Sequence, residues 1–166
     1  MPAEPRYLVR AASLATSEPA VVTHPLNDNS QVVGHALGRM AGLERTGVNL
    51  ITLAPGRESF AYHAHALEEE WIYILDGVGA AEIDGVEHHV GPGDFMGFPT
   101  PGVGHHLRNT GPTELVYLCG GEHRQVEVAD FPRHGKRLVR IGDAIDLLDL
   151  ATAETYGPYP AIPPVA

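Results

Sequence analysis

Between Gly47 and Cys119 the chain runs as short apolar segments, GVNLITLAP, EWIYILDG, GAAEI, GVEHHV, FMGFP, HHLRN and ELVYLC, separated by Gly, Pro and Asp. Such runs, bounded by turn formers, read as β-strands. Asp84-Gly85 predicts a two-residue hairpin turn, because Gly readily takes the positive φ that such turns need, and Gly91-Pro92-Gly93-Asp94 marks another. Strands this close, with no helical stretch between them, leave no room for parallel crossovers, so the predicted class is all-β and antiparallel, a sandwich or barrel. The barrel is expected over residues 47–130. Residues 1–46 are mixed and Pro-dotted without a sustained period, and read as an N-terminal arm packed on the barrel. A further strand is predicted at Arg124 to Val128. In the remaining stretch, 131–166, GDAIDLLDLA predicts one short helix capped by Asp143, and GPYPAIPPVA an extended Pro-rich tail.

Composition narrows the function classes. At 166 residues and 17.8 kDa the chain fits one domain with a real core. A formal charge of −10 repels phosphate backbones and anionic lipid surfaces, so neither nucleic acid nor membrane is an expected partner. No apolar run approaches the roughly 20 residues that cross a bilayer. The single Cys119 has no partner for a bridge, and the first residues lack a basic region followed by an apolar one. A soluble protein of a reducing cytoplasm is expected.

The polar chemistry concentrates in YHAHALEEEWIYILDG, residues 62–77. On a strand, His63 and His65 point to the same side and can converge on one ion, for which imidazole nitrogen is a good ligand. A carboxylate on the adjoining strand would add a further ligand. Glu70 shares its parity with Ile72 and Ile74, Glu69 with Trp71 and Tyr73, and parity alone does not say which face lies inside. No HExxH, paired CxxC, GxSxG or phosphate-loop pattern occurs, which removes zincins, zinc ribbons, serine hydrolases and P-loop enzymes.

The spacing His63-x-His65, four residues, Glu70, six residues, Gly77, with Gly56 upstream, resembles the first motif of the cupin superfamily; six residues separate Gly56 from His63, one more than is commonest. Gly93, five residues, Pro99, then Gly102, His105, three residues and Asn109 resembles the second, again with one extra residue. The resemblance implies an antiparallel double-stranded β-helix, the cupin jelly-roll barrel, with metal ligands His63, His65, Glu70 and His105. His105 shares its parity with Leu107 and Asn109, whereas His106 shares that of Arg108, which prefers water. The implied cofactor is a divalent transition metal ion, Fe, Mn, Ni or Zn, and the implied partner a small-molecule ligand.

Metal-dependent oxygenase, isomerase or lyase chemistry is precedented in that superfamily. The other reading is a non-catalytic protein that binds or senses a metal or small ligand. A homodimer is expected, from the resemblance and from the apolar face bearing Trp71 and Tyr73. Counting back from His63 along one strand face gives Ala61, Ser59 and Arg57 where no bulge intervenes, so Arg57 is a candidate for a small anionic substrate, its planar cation placed at the pocket mouth; the other reading, of at least equal weight, puts Arg57 in the turn after Gly56, facing water. Glu68 and Glu69 read as a solvated turn, Cys119 as a small core residue, and His24, His35, His88, His89, His123 and His134 as surface residues.

Overall fold

The computed structural model describes residues 7–154, 156 and 157. Its elements in chain order are α1 (Ala11–Leu14), β1 (Ala20–His24), β2 (Asn27–His35), α2 (Leu37–Met40), β3 (Thr46–Leu53), β4 (Ala64–His65), β5 (Glu70–Asp76) and β6 (Gly79–Ile83). They continue with β7 (Val86–Val90), β8 (Phe95–Phe98), β9 (His105–Asn109), β10 (Leu115–Glu122), β11 (Val126–Phe131), β12 (Lys136–Ile141) and β13 (Ala144–Asp149). The strands form three sheets ordered β1-β2-β3-β10-β5-β8, β7-β6-β9 and β13-β12-β11-β4, and every pairing between strands is antiparallel. This is the antiparallel all-β class that the strand pattern predicted, in the jelly-roll form that the cupin resemblance implied.

Alternation explains the core. On β5, Ile72 and Ile74 face inward while Tyr73 and Leu75 stay exposed. They meet Leu53 of β3, Leu115 and Tyr117 of β10, Met96 and Phe98 of β8, and Ala81, Val90 and Leu107 of the facing three-stranded sheet. A second cluster of Ala61, Ala129 and Phe131 lies against the β11 side. The turns behave as the residues dictate: Asp84 and Gly85 carry φ of 50° and 79° between the paired β6 and β7, and the Asp94 N–H closes on the Gly91 carbonyl at 3.1 Å. Gly77, at φ 78°, ends β5 where a Cβ would stand 2.2 Å from the Glu114 carbonyl oxygen. Both strain and backbone clash oppose any side chain there. Gly77→Ala is therefore expected to cost roughly 1–3 kcal/mol, seen as a lower urea midpoint at unchanged m.

Both flanks differ from expectation. The N-terminal arm contains β1 and β2, which extend the large sheet through the pairing of Val33 to His35 with Leu50 to Thr52. β1 is the edge strand and β2 lies between it and β3, and the side chains of both are mostly exposed or half-buried, so no apolar period betrays them. The predicted helix over GDAIDLLDLA is instead β13, paired along its whole length with β12. Ile145, Leu147, Leu148 and Leu150 imitate helical spacing, but Gly142 at φ 60° turns the chain back and the β12 ladder takes up the backbone groups. The Pro-rich tail falls largely outside the described residues. No described helix is long and apolar enough to cross a membrane.

Candidate metal centre

Three segments carry the centre. His63 bridges to His105 through hydrogen bonds in both directions between their backbones (3.2 and 2.8 Å), which sets the two motifs side by side. His65 lies on β4, paired with Ala129 of β11. Glu70 opens β5 on the inward face of Ile72 and Ile74, and pairs with Gly121 and Phe98. Ligand-type atoms of His63, His65, Glu70 and His105 consequently lie within 4.8 Å of one another. The Glu70 Oε2 is 2.9 Å from His65 Nε2, 3.2 Å from His105 Nε2 and 4.0 Å from His63 Nε2, and the Nε2 atoms of His63 and His65 are 3.1 Å apart.

The outward nitrogens fix the tautomers. His63 Nδ1 lies 2.8 Å from the Ala61 carbonyl and His105 Nδ1 3.1 Å from the Val103 carbonyl, and a carbonyl can only accept. Each Nδ1 therefore carries the proton, and each Nε2 presents a bare lone pair to the centre. Stacking holds the rings: Phe98 lies on His105 with centroids 3.8 Å apart and planes 7° from parallel, and Phe131 stacks on His63 at 5.7 Å. Glu70 is held as well, since the Cys119 thiol donates to its Oε1 at 2.9 Å and leaves Oε2 for the cluster. The bare Nε2 lone pairs of His63 and His105, set beside the Glu70 carboxylate, suit a cation.

Electrostatics agree. Burial, with His105 beside it, pushes His63 down to about 3, so it stays neutral and able to ligate. Burial disfavours the charged forms of Glu70 and His65 too. The adjacent imidazoles of His105 and His65 outweigh this and hold the Glu70 carboxyl well below its ordinary range, while Glu70 and then Glu127 turn the net His65 shift upward. Cys119 goes up through burial and the adjacent Glu70, which keeps it a thiol that can donate.

A pH dependence follows for metal-free protein. A histidine depressed from 6.5 to about 3 in the folded state binds fewer protons there than when unfolded, so its effect is to remove stability as pH falls through that interval. His65, raised, acts with the opposite sign, but its shift is the smaller. Chelator-treated protein is expected to show a lower urea midpoint at pH 5 than at pH 7.5; an equal or higher midpoint would contradict a neutral buried His63.

The centre borders a cavity of about 210 Å³, whose walls are mostly apolar, with Val32, Ile51, Ile72, Met96 and Phe98 among them. Asn49, Ser59 and Tyr117 add polar groups. Arg57 does not line it. The face count from His63 fails because residues 54–62 are not one strand: the Arg57 N–H closes a turn on the Ala54 carbonyl, and Ala61 packs with Ala129 and Phe131.

Other expectations are corrected. Glu68 is not solvated; its carboxylate, 12% exposed, pairs with Arg140 and accepts the Arg124 N–H. His106 is buried rather than turned to water, 3.2 Å from Glu58, yet on the far side of β9 from the cluster. His24 is half-buried between the rings of Phe60 and Phe131, and His35 and His123 are half-buried as well, while His88, His89 and His134 are exposed. Glu127, 2% exposed and 3.4 Å from His65 Nδ1, was not singled out from the sequence. Its parity with Ala129 and Phe131, all buried, was the available signal.

A family model for the cupin domain matches residues 49–121. Among solved structures, a presumed sugar phosphate isomerase from Acidithiobacillus ferrooxidans is 33% identical, covering 92% of this chain and 98% of its own, with a TM-score of 0.87. Two more share the fold at lower identity. A sugar phosphate isomerase of a cupin superfamily from Silicibacter pomeroyi is 24% identical over 83% of this chain and 89% of its own (TM-score 0.74). A protein from Thermotoga maritima, described by prediction as an oxalate decarboxylase, is 23% identical over 70% and 99% (TM-score 0.58). No curated protein matches the chain.

Proposed function

This chain belongs to the cupin superfamily, and from that premise we propose that it is a metal-dependent enzyme acting on a small organic molecule, its divalent ion held by His63, His65, Glu70 and His105. The observation that carries the proposal is the convergence of bare histidine nitrogens and the Glu70 Oε2 beside a mostly apolar cavity. A bound ion would supply Lewis acidity and a place for substrate oxygen atoms. The residues of this chain do the rest: Phe98 and Phe131 keep the rings aligned, Cys119 fixes the Glu70 carboxylate, and the apolar walls exclude water, which strengthens every polar contact inside.

The likeness to the Acidithiobacillus protein favours isomerase chemistry within this reading. The cavity limits the substrate. Its volume is below the usual range for drug-sized ligands, and none of its lining residues is Lys or Arg, so an anionic group would depend on the ion rather than on Arg57. The test is to load the protein with Zn²⁺ or Mn²⁺ and screen small aldoses, ketoses, their phosphates and short hydroxy acids by thermal shift, following hits by NMR for interconversion. Asn49→Ala and Tyr117→Phe are each expected to lower kcat/KM by about tenfold, the effect of one hydrogen bond. Ligand binding with no turnover of any hit would favour the alternative, a metal-dependent binding or sensing protein.

The proposed assembly is a homodimer through the outward face of β5 and β8, where Tyr73, Leu75 and Phe95 are exposed beside Trp71. Light scattering near the monomer mass of 17.8 kDa at micromolar concentration would remove it.

A further inference from the structure

Glu127 of β11 is a carboxylate buried to 2% exposure, and no described Lys or Arg forms an ion pair with it. Its Oε1 accepts the N–H groups of Ala66 and Leu67, at 3.1 and 3.4 Å, and stands 3.4 Å from His65 Nδ1. Its Oε2 has no hydrogen-bond partner, and neither does His65 Nδ1. Glu68, whose ligand atoms also lie within 4.8 Å of this group, has Arg140 to offset its charge. Glu127 has no such cation. Two backbone N–H groups offset part of the cost of burying this carboxylate, but with no paired cation and Oε2 without a partner the site is incomplete as the protein atoms alone present it.

The missing positive charge is found by following the ring. His63 and His105 are held by carbonyl oxygens behind them, but His65 has a carboxylate in that place. A carboxylate behind a ligating imidazole fixes its orientation and raises its basicity. With three neutral imidazoles, Glu70 and Glu127 give the buried group a formal charge of −2, which a single divalent ion cancels.

We infer that Glu127 is a positioning residue of the metal centre: it accepts a hydrogen bond from the Nδ1–H of His65, turns Nε2 toward the ion, and offsets one of the ion's two charges. This rests on the metal reading proposed above. The competing structural role is narrower, in which Glu127 merely accepts the N–H groups of Ala66 and Leu67.

Glu127→Gln separates the two, because the amide keeps an oxygen acceptor for those N–H groups and removes only the charge. Zn²⁺ affinity, measured by competition with a chelator, is expected to fall about 10–100-fold. Metal-free Glu127→Gln is expected to unfold at the same temperature as the metal-free parent or higher, since an uncompensated charge is gone; a merely structural Glu127 would not produce that pair of results. In the Zn²⁺-loaded parent, long-range ¹H–¹⁵N NMR should place the His65 proton on Nδ1, downfield of the Nδ1 protons of His63 and His105. In the variant it should move upfield toward theirs. Affinity within twofold of the parent, or zinc on His65 Nδ1, would overturn the role of Glu127 alone, whereas a parent that binds no zinc would overturn the metal reading and this one with it. If the variant does not fold, the parent spectrum decides: a carboxylate-bound proton on Nδ1 supports the role, and its absence overturns it.

Discussion

Combining His63→Ala with His105→Ala is expected to abolish stoichiometric metal binding while leaving a folded barrel. Each imidazole is fixed from behind by a backbone carbonyl and from the side by an aromatic ring, so each is preorganised to present Nε2. Removing both leaves His65 and Glu70, too few ligands to hold an ion against water. The barrel should survive because its core of Leu53, Ile74, Leu107 and Leu115 does not depend on the centre. Elemental analysis should fall from about one ion per chain to about a tenth or less, with far-UV circular dichroism unchanged. Unchanged metal content in the double variant would remove this ligand set.

Ile74→Ala is expected to produce the largest loss of stability from a single side chain. Ile74 is fully buried in the main core cluster, its backbone N–H and carbonyl are both tied to Gly93-Asp94 on one side, and Tyr117 of β10 is its ladder partner on the other. The ladder prevents the strand from collapsing into the space left behind, so the transfer cost and the cavity cost both apply, together about 2–5 kcal/mol. Leu75→Ala, one residue on and 42% exposed, should change stability by less than about 0.5 kcal/mol. Urea unfolding at matched pH would show a large fall in midpoint for the first and almost none for the second. Equal effects would mean that β5 does not present its alternate residues as described.

Particular residues show how far the sequence could be read. The convergence of the four side chains follows the motif spacing that the cupin resemblance supplied; strand parity put Glu70 with Ile72 and Ile74, and His105 with Leu107 and Asn109, without saying which face lies inside, and the burial of these last four decides it. Asn109 shows why the second motif needs that residue, since its side chain ties the carbonyls of Leu53 and Thr113 to the start of the following turn. Illegible features were those set by partners distant in sequence. Glu68 looked solvated because nothing local announces Arg140, and nothing local to Glu127 announces His65, 62 residues before it. The β13 apolar residues carry helical spacing, and only the β12 ladder overrides it. For Arg57 the turn reading is the one that fits, since its N–H closes on the Ala54 carbonyl and breaks the face count from His63.

The most direct test of the centre is X-ray absorption at the metal edge of protein loaded with one equivalent of Zn²⁺. Three imidazole nitrogens are expected at about 2.0–2.1 Å and a carboxylate oxygen at about 2.0–2.2 Å, with the imidazole scattering lost in the His63→Ala, His105→Ala double variant. A zinc shell of water and carboxylate oxygens with no imidazole scattering, or one unaltered in the double variant, would contradict this ligand set.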